Sequence, residues 1–459
     1  MIPPGELERR LARATELDRL GRTEEATQAY VSVLTLDPTH FAALNNLGTL
    51  LHDAGYRSAA RTAYEEAVRY HPGNPLGRVN LANLLLADGA LDAARDHYAR
   101  ALALAPDHVE AHRGLANLLA AAGDHAAAAQ HRRAAYARQP AVAQRYRGPA
   151  PGIPLLLLIG AGGGNVPTRT LIDDRIFRVT ALAPEFFDAA APLPEHALVF
   201  NAIGDADLAG PALVAADALL ARTRAPVINR PHAVRETGRG AVAQRFARIS
   251  DVIAPVVASL ARTELAAGDA AARLARLGLG FPLLLRSPGF HTGQHFVRVE
   301  QEAALDPALR ELPGETLLAI EFLDARGADG LARKYRVMIV DGQLYPLHLA
   351  ISPDWKVHYV TSAMADRPDL RDEEAGFLAD MPRVLGARAM AALAAIARAL
   401  ALDYAGVDFA LARDGRVVLF EANATMVVNP PEPDPRWDYR RAAVARVLDA
   451  VRAMLTTRA

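Results

Sequence analysis

GYRSAARTAYEEAVRYHPGNPLGRVNLANLLLADG, residues 55–89, runs between two glycines 34 residues apart. It reads as a helix stopped by Pro72, a second helix, and a glycine turn. Working outward in both directions, the register persists. Gly21, Gly55, Gly89 and Gly123 fall every 34 residues, as do Ala26, Ala60, Ala94 and Ala128, and Pro38, Pro72, Pro106 and Pro140. Tyr30, Tyr64 and Tyr98 follow the same register until Arg132 breaks it in the fourth unit. A repeat of this length is the mark of a solenoid whose units bury their apolar faces on one another. The small alanine lets the paired helices approach, and the tyrosine fills the gap between units.

A 34-residue helical hairpin with this pattern resembles the tetratricopeptide repeat over about residues 5–140. Such arrays line a concave groove with their first helices. Asn46 and Asn80 occupy equivalent places there, and Asn83 and Asn117 lie three residues further on, on the same helical face. An amide side chain both donates and accepts, which suits the backbone of an extended peptide. The resemblance implies peptide binding by Asn46, Asn80, Asn83 and Asn117. Hydrogen bonding between neighbouring repeats would explain the same residues without a ligand.

The rest of the chain is of another kind. At 459 residues it is too long for one core, and length suggests about three domains. Apolar residues make up 51% and charged residues 22%, a globular rather than disordered profile. The net charge of -1 carries no basic excess for nucleic acid. With no cysteine there is no disulfide, thiolate metal site or cysteine nucleophile. The charged N-terminal stretch lacks a secretory apolar core, and no run spans a membrane, so a cytoplasmic protein is expected. Of 51 basic residues only Lys334 and Lys356 are lysine, and both fall within one short stretch.

The repeat pattern ends around Gln139–Pro154 in the Pro- and Gly-rich RYRGPAPGIP. Leu155–Ile159 then reads as a buried parallel strand, and Ala197–Ile203 and Pro226–Asn229 as two more, in an α/β pattern. The loop Gly160–Asn165, GAGGGN, has two readings: a strand-end turn near substrate, or a phosphate cradle that lacks the P-loop lysine.

Chemistry concentrates in Tyr404–Met426, YAGVDFALARDGRVVLFEANATM. Val407–Leu411 and Val417–Glu421 read as antiparallel strands joined by a turn at Arg413–Arg416. Asp408 lies on the first strand. Glu421 and Asn423 end the second on one face, so three hard oxygen ligands converge, as magnesium with substrate phosphates requires.

At these residues the sequence resembles the ATP-grasp ligases, the group that includes D-alanine–D-alanine ligase and glutathione synthetase. Their metal ligands follow the spacing of Asp408, Glu421 and Asn423. The resemblance extends over about residues 225–430. GFPLLLRSPGFHTGQHFVR, Gly280–Arg298, is similar to the strand and glycine loop that cover the nucleotide phosphates. Arg286 stands where lysine is usual, Gly289 and Gly293 let the backbone approach phosphate, and His291 faces phosphate or substrate. LLAIEFLD, Leu317–Asp324, resembles the adenine hinge, with Glu321 near the amino group and Phe322 and Leu323 offering backbone; Asp329 is a ribose candidate. Arg336 matches an arginine that faces the transferring phosphate, and Arg239 is a second phosphate cation. Lys334, Lys356 and His358 fall at the substrate mouth. Where the D-alanine ligases carry an arginine two residues before the first metal acid, this chain has Gly406, and Arg336 is the candidate substitute.

The resemblance therefore implies an all-α tetratricopeptide solenoid (1–147), an α/β pre-ATP-grasp domain (148–232) and an α+β ATP-grasp domain (233–459). It further implies ATP and Mg²⁺ as cofactors and a carboxylate–amine ligase that works through an acyl phosphate. One substrate would be a peptide or protein held by the repeats, the other a small amine or amino acid. Two alternatives remain at this point: a kinase of the same fold, and a non-catalytic scaffold that senses ATP.

Overall fold

The computed structural model describes residues 5–149, 151–289, 294–357, 363–432 and 434–459. The chain divides into two compact units, Met1–Gly152 and Ile153–Ala459. Among the described residues, no helix is long and apolar enough to cross a membrane.

The first unit is an array of four helical hairpins: α1 (Glu6–Arg19) with α2 (Thr23–Leu36), α3 (Phe41–Asp53) with α4 (Arg57–Tyr70), α5 (Pro75–Ala87) with α6 (Leu91–Leu104), and α7 (Val109–Ala121) with α8 (His125–Tyr136). The periodic glycines close the first helix of each pair. Their φ angles of 69°, 87°, 78° and 84° lie in the left-handed region. In each turn the residue after the glycine donates back five residues, as Tyr56 N–H does to Leu51 O at 2.8 Å. Ala26, Ala60, Ala94 and Ala128 are completely buried, which lets the paired helices touch. Tyr98 reaches into the next hairpin so closely that a Cβ on Gly114 would lie 2.2 Å from its ring. The tyrosine–glycine fit thus welds one repeat to the next.

Beyond α8 the chain runs extended, with Ala141–Ala143 in strand conformation. Arg113 on α7 makes a long hydrogen bond of 3.5 Å to the Gln139 carbonyl, and Arg145 reaches Asp18 on α1 at 3.3 Å.

The second unit contains three sheets. Parallel strands β1 (Ile153–Leu158), β2 (Phe177–Leu182), β3 (Leu198–Asn201) and β4 (Val227–Ile228) lie side by side in the order β2-β1-β3-β4. Leu155–Leu158 is buried throughout because helices and neighbouring chain cover both faces of a parallel sheet. An antiparallel sheet joins β6 (Val257–Ala261), β9 (Thr316–Glu321), β7 (Leu283–Arg286) and β8 (Phe296–Val299), in that order. The third sheet runs β11 (Gln343–Ser352), β10 (Ala332–Val340), β12 (Tyr404–Leu411), β13 (Val417–Asn423), β5 (Val252–Ile253). The hairpin read from Tyr404–Met426 forms, with its second strand running on to Asn423.

Two cores hold these sheets. Val447, Val451 and Met454 of the last helix, Arg441–Arg458, pack with Leu155, Phe177, Val340 and Tyr404, so the parallel sheet and the third sheet share one interior. The antiparallel sheet has its own interior of Leu260, Leu274, Leu283, Leu285 and Leu317. A buried Arg440–Glu374 ion pair ties the chain ahead of the last helix to the helix Pro368–Ala379, and Glu374 also accepts the Leu349 N–H of β11 at 3.2 Å. Unpaired, either charge would be costly in such a place; paired and bonded, both are satisfied.

Candidate functional site

Cross-strand register aligns one row of polar residues. His348 pairs with Arg336, Arg336 with Asp408, and Asp408 with Glu421, across four neighbouring strands. Partners directly opposite in a sheet point to the same face, so the row presents its side chains together. Arg336 grips Asp408 through two hydrogen bonds, Nε to Oδ1 at 2.6 Å and Nη2 to Oδ2 at 2.7 Å, and Lys334 Nζ stands 3.4 Å away. Asp408 is buried, which by itself would favour the neutral acid. The Arg336 and Lys334 charges outweigh burial and hold the carboxyl well below its usual range. Burial and then the Arg336 charge also hold the His348 pKa well below its usual value, which leaves a neutral imidazole.

Glu421 accepts from Arg239 Nη2 at 2.8 Å and from Asn423 Nδ2 at 2.8 Å. Asn423 Oδ1 in turn accepts the N–H and hydroxyl of Thr425, each at 2.9 Å. Arg239 begins the helix Arg239–Phe246, and its backbone N–H and Nη1 both donate to Asp207 at 3.3 Å. Arg286, on β7, is the fourth cation. Burial lowers the pKa of its guanidinium, and the neighbouring Arg239 charge lowers it further. Four cations and two acids are therefore drawn from four strands and one helix into one region.

Beside this cluster, an apolar slot opens between the antiparallel sheet and the third sheet. Val257 and Ile320 form one wall and Leu419 and Phe420 the other, with Pro255 and Val242 alongside and Arg239, Glu421 and Asn423 at the rim. Phe420 is 39% exposed, unusual for an aromatic residue within a strand, because it faces this opening.

Other predicted site residues lie elsewhere or have partners of their own. Glu321 ends β9, and its Oε2 accepts the Val256 N–H at 2.9 Å, a strand-to-strand tie. Phe322 sits under the Arg298 guanidinium, 4.0 Å from the ring centre, and edge-on to Trp355 at 6.1 Å; Leu323 follows it beyond the strand. Lys356 donates to the Phe296 carbonyl at 3.1 Å, near these rings. Asp329 lies on an exposed turn where Arg333 binds it at 2.8 Å and lowers its pKa to about 2. Gly289 has φ 81° and stands near Leu208. His291, Gly293 and His358 lie outside the described residues. Gly406 admits no side chain, since a Cβ there would meet Met426 at 2.4 Å and the Met338 sulfur at 3.0 Å; the guanidinium beside Asp408 belongs to Arg336. The Gly160–Asn165 loop closes on itself. Asn165 bonds both the N–H and the carbonyl of Gly160, at 2.7 and 2.9 Å.

In the array, Asn80 donates to Asn45 Oδ1 at 2.8 Å, Asn46 donates to the Tyr30 hydroxyl at 3.4 Å, and Asn83 accepts the Tyr98 hydroxyl at 2.5 Å. These three spend side-chain bonds on joining helices of the array. Asn117 is exposed at the position equivalent to Asn83.

Sequence reading missed Asp205 and Asp207. Asp205 shapes the loop after β3 by accepting the Asp207 and Leu208 N–H groups, and that loop presses on the Glu421 segment, for a Cβ on Gly204 would meet Thr425 at 2.9 Å. The only sign in the sequence was a pair of acids after an apolar strand. The slot residues Pro255, Val257, Leu419 and Phe420 were hidden because apolar strand residues read as core. Among the described residues, no three histidine or acidic side chains gather as a metal-binding group; the oxygen donors at the row are two acids and an amide.

The tetratricopeptide repeat profile matches residues 11–75, 53–107 and 79–143. No curated protein matches the chain. A MamA RS-1 double mutant is 23% identical, covering 29% of this chain and 75% of its own, with a TM-score of 0.27. A tetratricopeptide repeat protein from Parabacteroides merdae is 22% identical over 29% of this chain and 53% of its own, at 0.27. Pseudomonas aeruginosa pilF is 20% identical over 29% of this chain and 60% of its own, at 0.27. The first unit, with its four glycine-capped hairpins, is a tetratricopeptide repeat array.

Proposed function

We propose that the second unit is an ATP-dependent carboxylate–amine ligase of the ATP-grasp kind, acting on a peptide or protein held by the tetratricopeptide array. The observation that carries this reading is the in-register row Arg336–Asp408–Glu421, with Asn423 beside it and an apolar slot at its rim. A flat apolar slot next to converging cations suits a nucleotide base attached to a polyphosphate. Arg239, Arg286, Arg336 and Lys334 would hold phosphate oxygens. Arg239, Arg336 and Lys334 are engaged by the two acids, and a polyphosphate would offer them a stronger partner.

The donor set fits magnesium chemically. Asp408, Glu421 and the Asn423 amide are hard oxygen donors, suited to a small divalent cation shared with phosphate oxygens. Asp408, Glu421 and Asn423 would hold the ion, which when bound supplies charge neutralisation at the phosphoryl group. In the reaction, a substrate carboxylate oxygen bonds to the γ-phosphorus as the bond to ADP breaks. An amine nitrogen then attacks the acyl carbon, loses a proton, and inorganic phosphate leaves with the former carboxylate oxygen. The protein's share is positioning and electrostatics, with no enzyme nucleophile. Glu321 through its tie to Val256 steadies the strand end at which Phe322 and Leu323 would meet adenine, and Lys356 belongs to the neighbouring mouth.

Glu421→Gln tests the reading. ADP release in the presence of peptide and amine mixtures should fall to background while the circular dichroism spectrum is unchanged, because Glu421 is a rim residue. Undiminished ADP release by this variant would refute the assignment. Free inorganic phosphate among the products marks a ligase, whereas a kinase would retain the phosphoryl group on its product.

A further inference from the structure

We infer that His112 and His131 form an open two-imidazole site for a divalent metal ion of the zinc class, which clamps together the two helices of the last hairpin. His112 stands on α7 and His131 on α8, with their Nδ1 atoms 2.8 Å apart and their ring centres 5.0 Å apart. The other nitrogen of His112, Nε2, lies 2.8 Å from the Pro106 carbonyl. A carbonyl only accepts, so Nε2 carries the hydrogen and the His112 Nδ1 lone pair faces His131. A metal-ligating histidine is prepared in this way: its outer N–H, held by a backbone carbonyl, fixes the tautomer and turns the bare nitrogen towards the ion. A hydrogen on His131 Nδ1 fills the gap between the rings. A metal ion bound there replaces it, while His131 takes up a hydrogen on Nε2, so both ligands are neutral imidazoles.

The repeat supplies its own control. In the third hairpin, 34 residues earlier, Arg78 takes the place of His112 and His97 that of His131. Arg78 grips the Pro72 carbonyl through Nε and Nη2, at 3.3 and 3.1 Å, as His112 grips Pro106. It is near enough to His97 for its charge, after burial, to lower the pKa of that imidazole. The His97 Nδ1 is buried and has no hydrogen-bond partner among the described residues, because a guanidinium has no lone pair to offer it. The third hairpin thus keeps the geometry of the site without its chemistry, and the exchange of Arg78 for His112 supplies the second ligand in the fourth.

Two imidazoles select zinc, copper or nickel over magnesium or calcium, which prefer oxygen. Zinc–nitrogen bonds are about 2.0–2.1 Å, and two donors on a tetrahedral ion stand about 3.3 Å apart, so the rings need part by only about 0.5 Å. Two protein ligands leave the remaining positions to water or to a donor from a partner, so the site is open. A clamp has most effect in this hairpin. No further repeat follows it in the chain, and Arg132 stands where the other hairpins carry the tyrosine.

The test titrates the full chain with zinc chloride against a chromophoric zinc indicator, in excess magnesium, and compares variants so that zinc bound elsewhere cancels. The parent should bind one equivalent more than His112→Gln or His131→Gln, while His97→Gln should match the parent. Arg78→His should add a further equivalent, because it rebuilds the facing pair in the third hairpin. Zinc should also raise the melting temperature of the array, read by far-ultraviolet circular dichroism, by about 3–6 °C at a tenfold excess over its Kd, and should leave that of His131→Gln unchanged. Equal zinc binding by the parent and His131→Gln overturns the site, and so does the absence of zinc binding by every one of these proteins. Zinc bound at the pair with no rise in melting temperature overturns the clamp. No gain by Arg78→His overturns the account of how the third hairpin differs from the fourth. Melting curves of each variant without zinc confirm that the array is intact where binding is compared.

Discussion

Replacing Arg336 with methionine removes one half of a buried ion pair while nearly preserving side-chain volume. Asp408 is 3% exposed and would be left with Lys334, 3.4 Å away, as the remaining cation beside it among the described residues. Breaking a buried pair from one side costs about 3–5 kcal/mol because a charge is stranded in low dielectric. Lys334 softens this, so about 3 kcal/mol is expected for the second unit. With a urea slope of about 1–3 kcal/mol/M, the midpoint should fall by about 1 M or more. Urea unfolding followed by tryptophan fluorescence reports on this unit, since Trp355 and Trp437 both lie in it. The pH dependence fixes the cause. In the parent, the depressed Asp408 pKa contributes stability that is present above its unfolded value, about 3.9, and is lost as pH falls through the folded value. In Arg336→Met the stranded acid protonates more readily, so the penalty should be largest near neutral pH and shrink as pH falls towards 4. A double variant Arg336→Met/Asp408→Leu should regain most of the loss. A penalty under about 1 kcal/mol, or one independent of pH, would refute the account of the row as a desolvated ion pair.

Two further outcomes concern the array. Asn80→Ala with Asn83→Ala should lower its melting temperature, through the loss of bonds to Asn45 and Tyr98 worth about 0.5–1.5 kcal/mol each; unchanged melting by circular dichroism would return both residues to ligand binding. His131, whose Nδ1 lies 2.8 Å from that of His112, has its pKa lowered by burial and by that neighbour, so the folded array prefers it neutral. Stability should be full above the unfolded histidine value of about 6.5 and decline as pH falls below it, and His131→Gln should make the decline shallower; identical slopes would remove His131 from the cause.

How much of this was legible beforehand differs between the two units. The array was readable because its information is local: Gly55 needs a left-handed φ whatever else the chain does, and Ala60 needs only to be small against its partner helix. The hairpin at Asp408 and Glu421 was readable for the same reason, since two apolar strands and an Asp-Gly turn fix their own pairing. Arg336 opposite Asp408 depends on two strands 72 residues apart coming into register, which spacing cannot disclose. The family resemblance supplied that arginine, yet not its bidentate grip on the acid. Asp207 was out of reach, because its meaning arises only where the loop after β3 meets Arg239. Asn80 is a case where two readings stood side by side. Its place on a groove helix suggested a ligand or a bond between neighbouring repeats, and its side chain donates to Asn45 of the preceding repeat.

The register of the third sheet has a consequence for how length changes are tolerated. Four of its five strands contribute one residue each to the row His348–Arg336–Asp408–Glu421, and irregularities in pairing occur between Arg336 and Val337 and between Asp408 and Phe409. Side chains alternate faces with every residue, so one residue inserted in β10, β12 or β13 on the wrong side of its row member turns that member to the opposite face of the sheet. The Ala412–Arg416 turn, lying outside the row, can lengthen without moving any member of it. Insertions and deletions along 332–423 should therefore sort by position rather than by size, with single residues forbidden where whole loops are accepted.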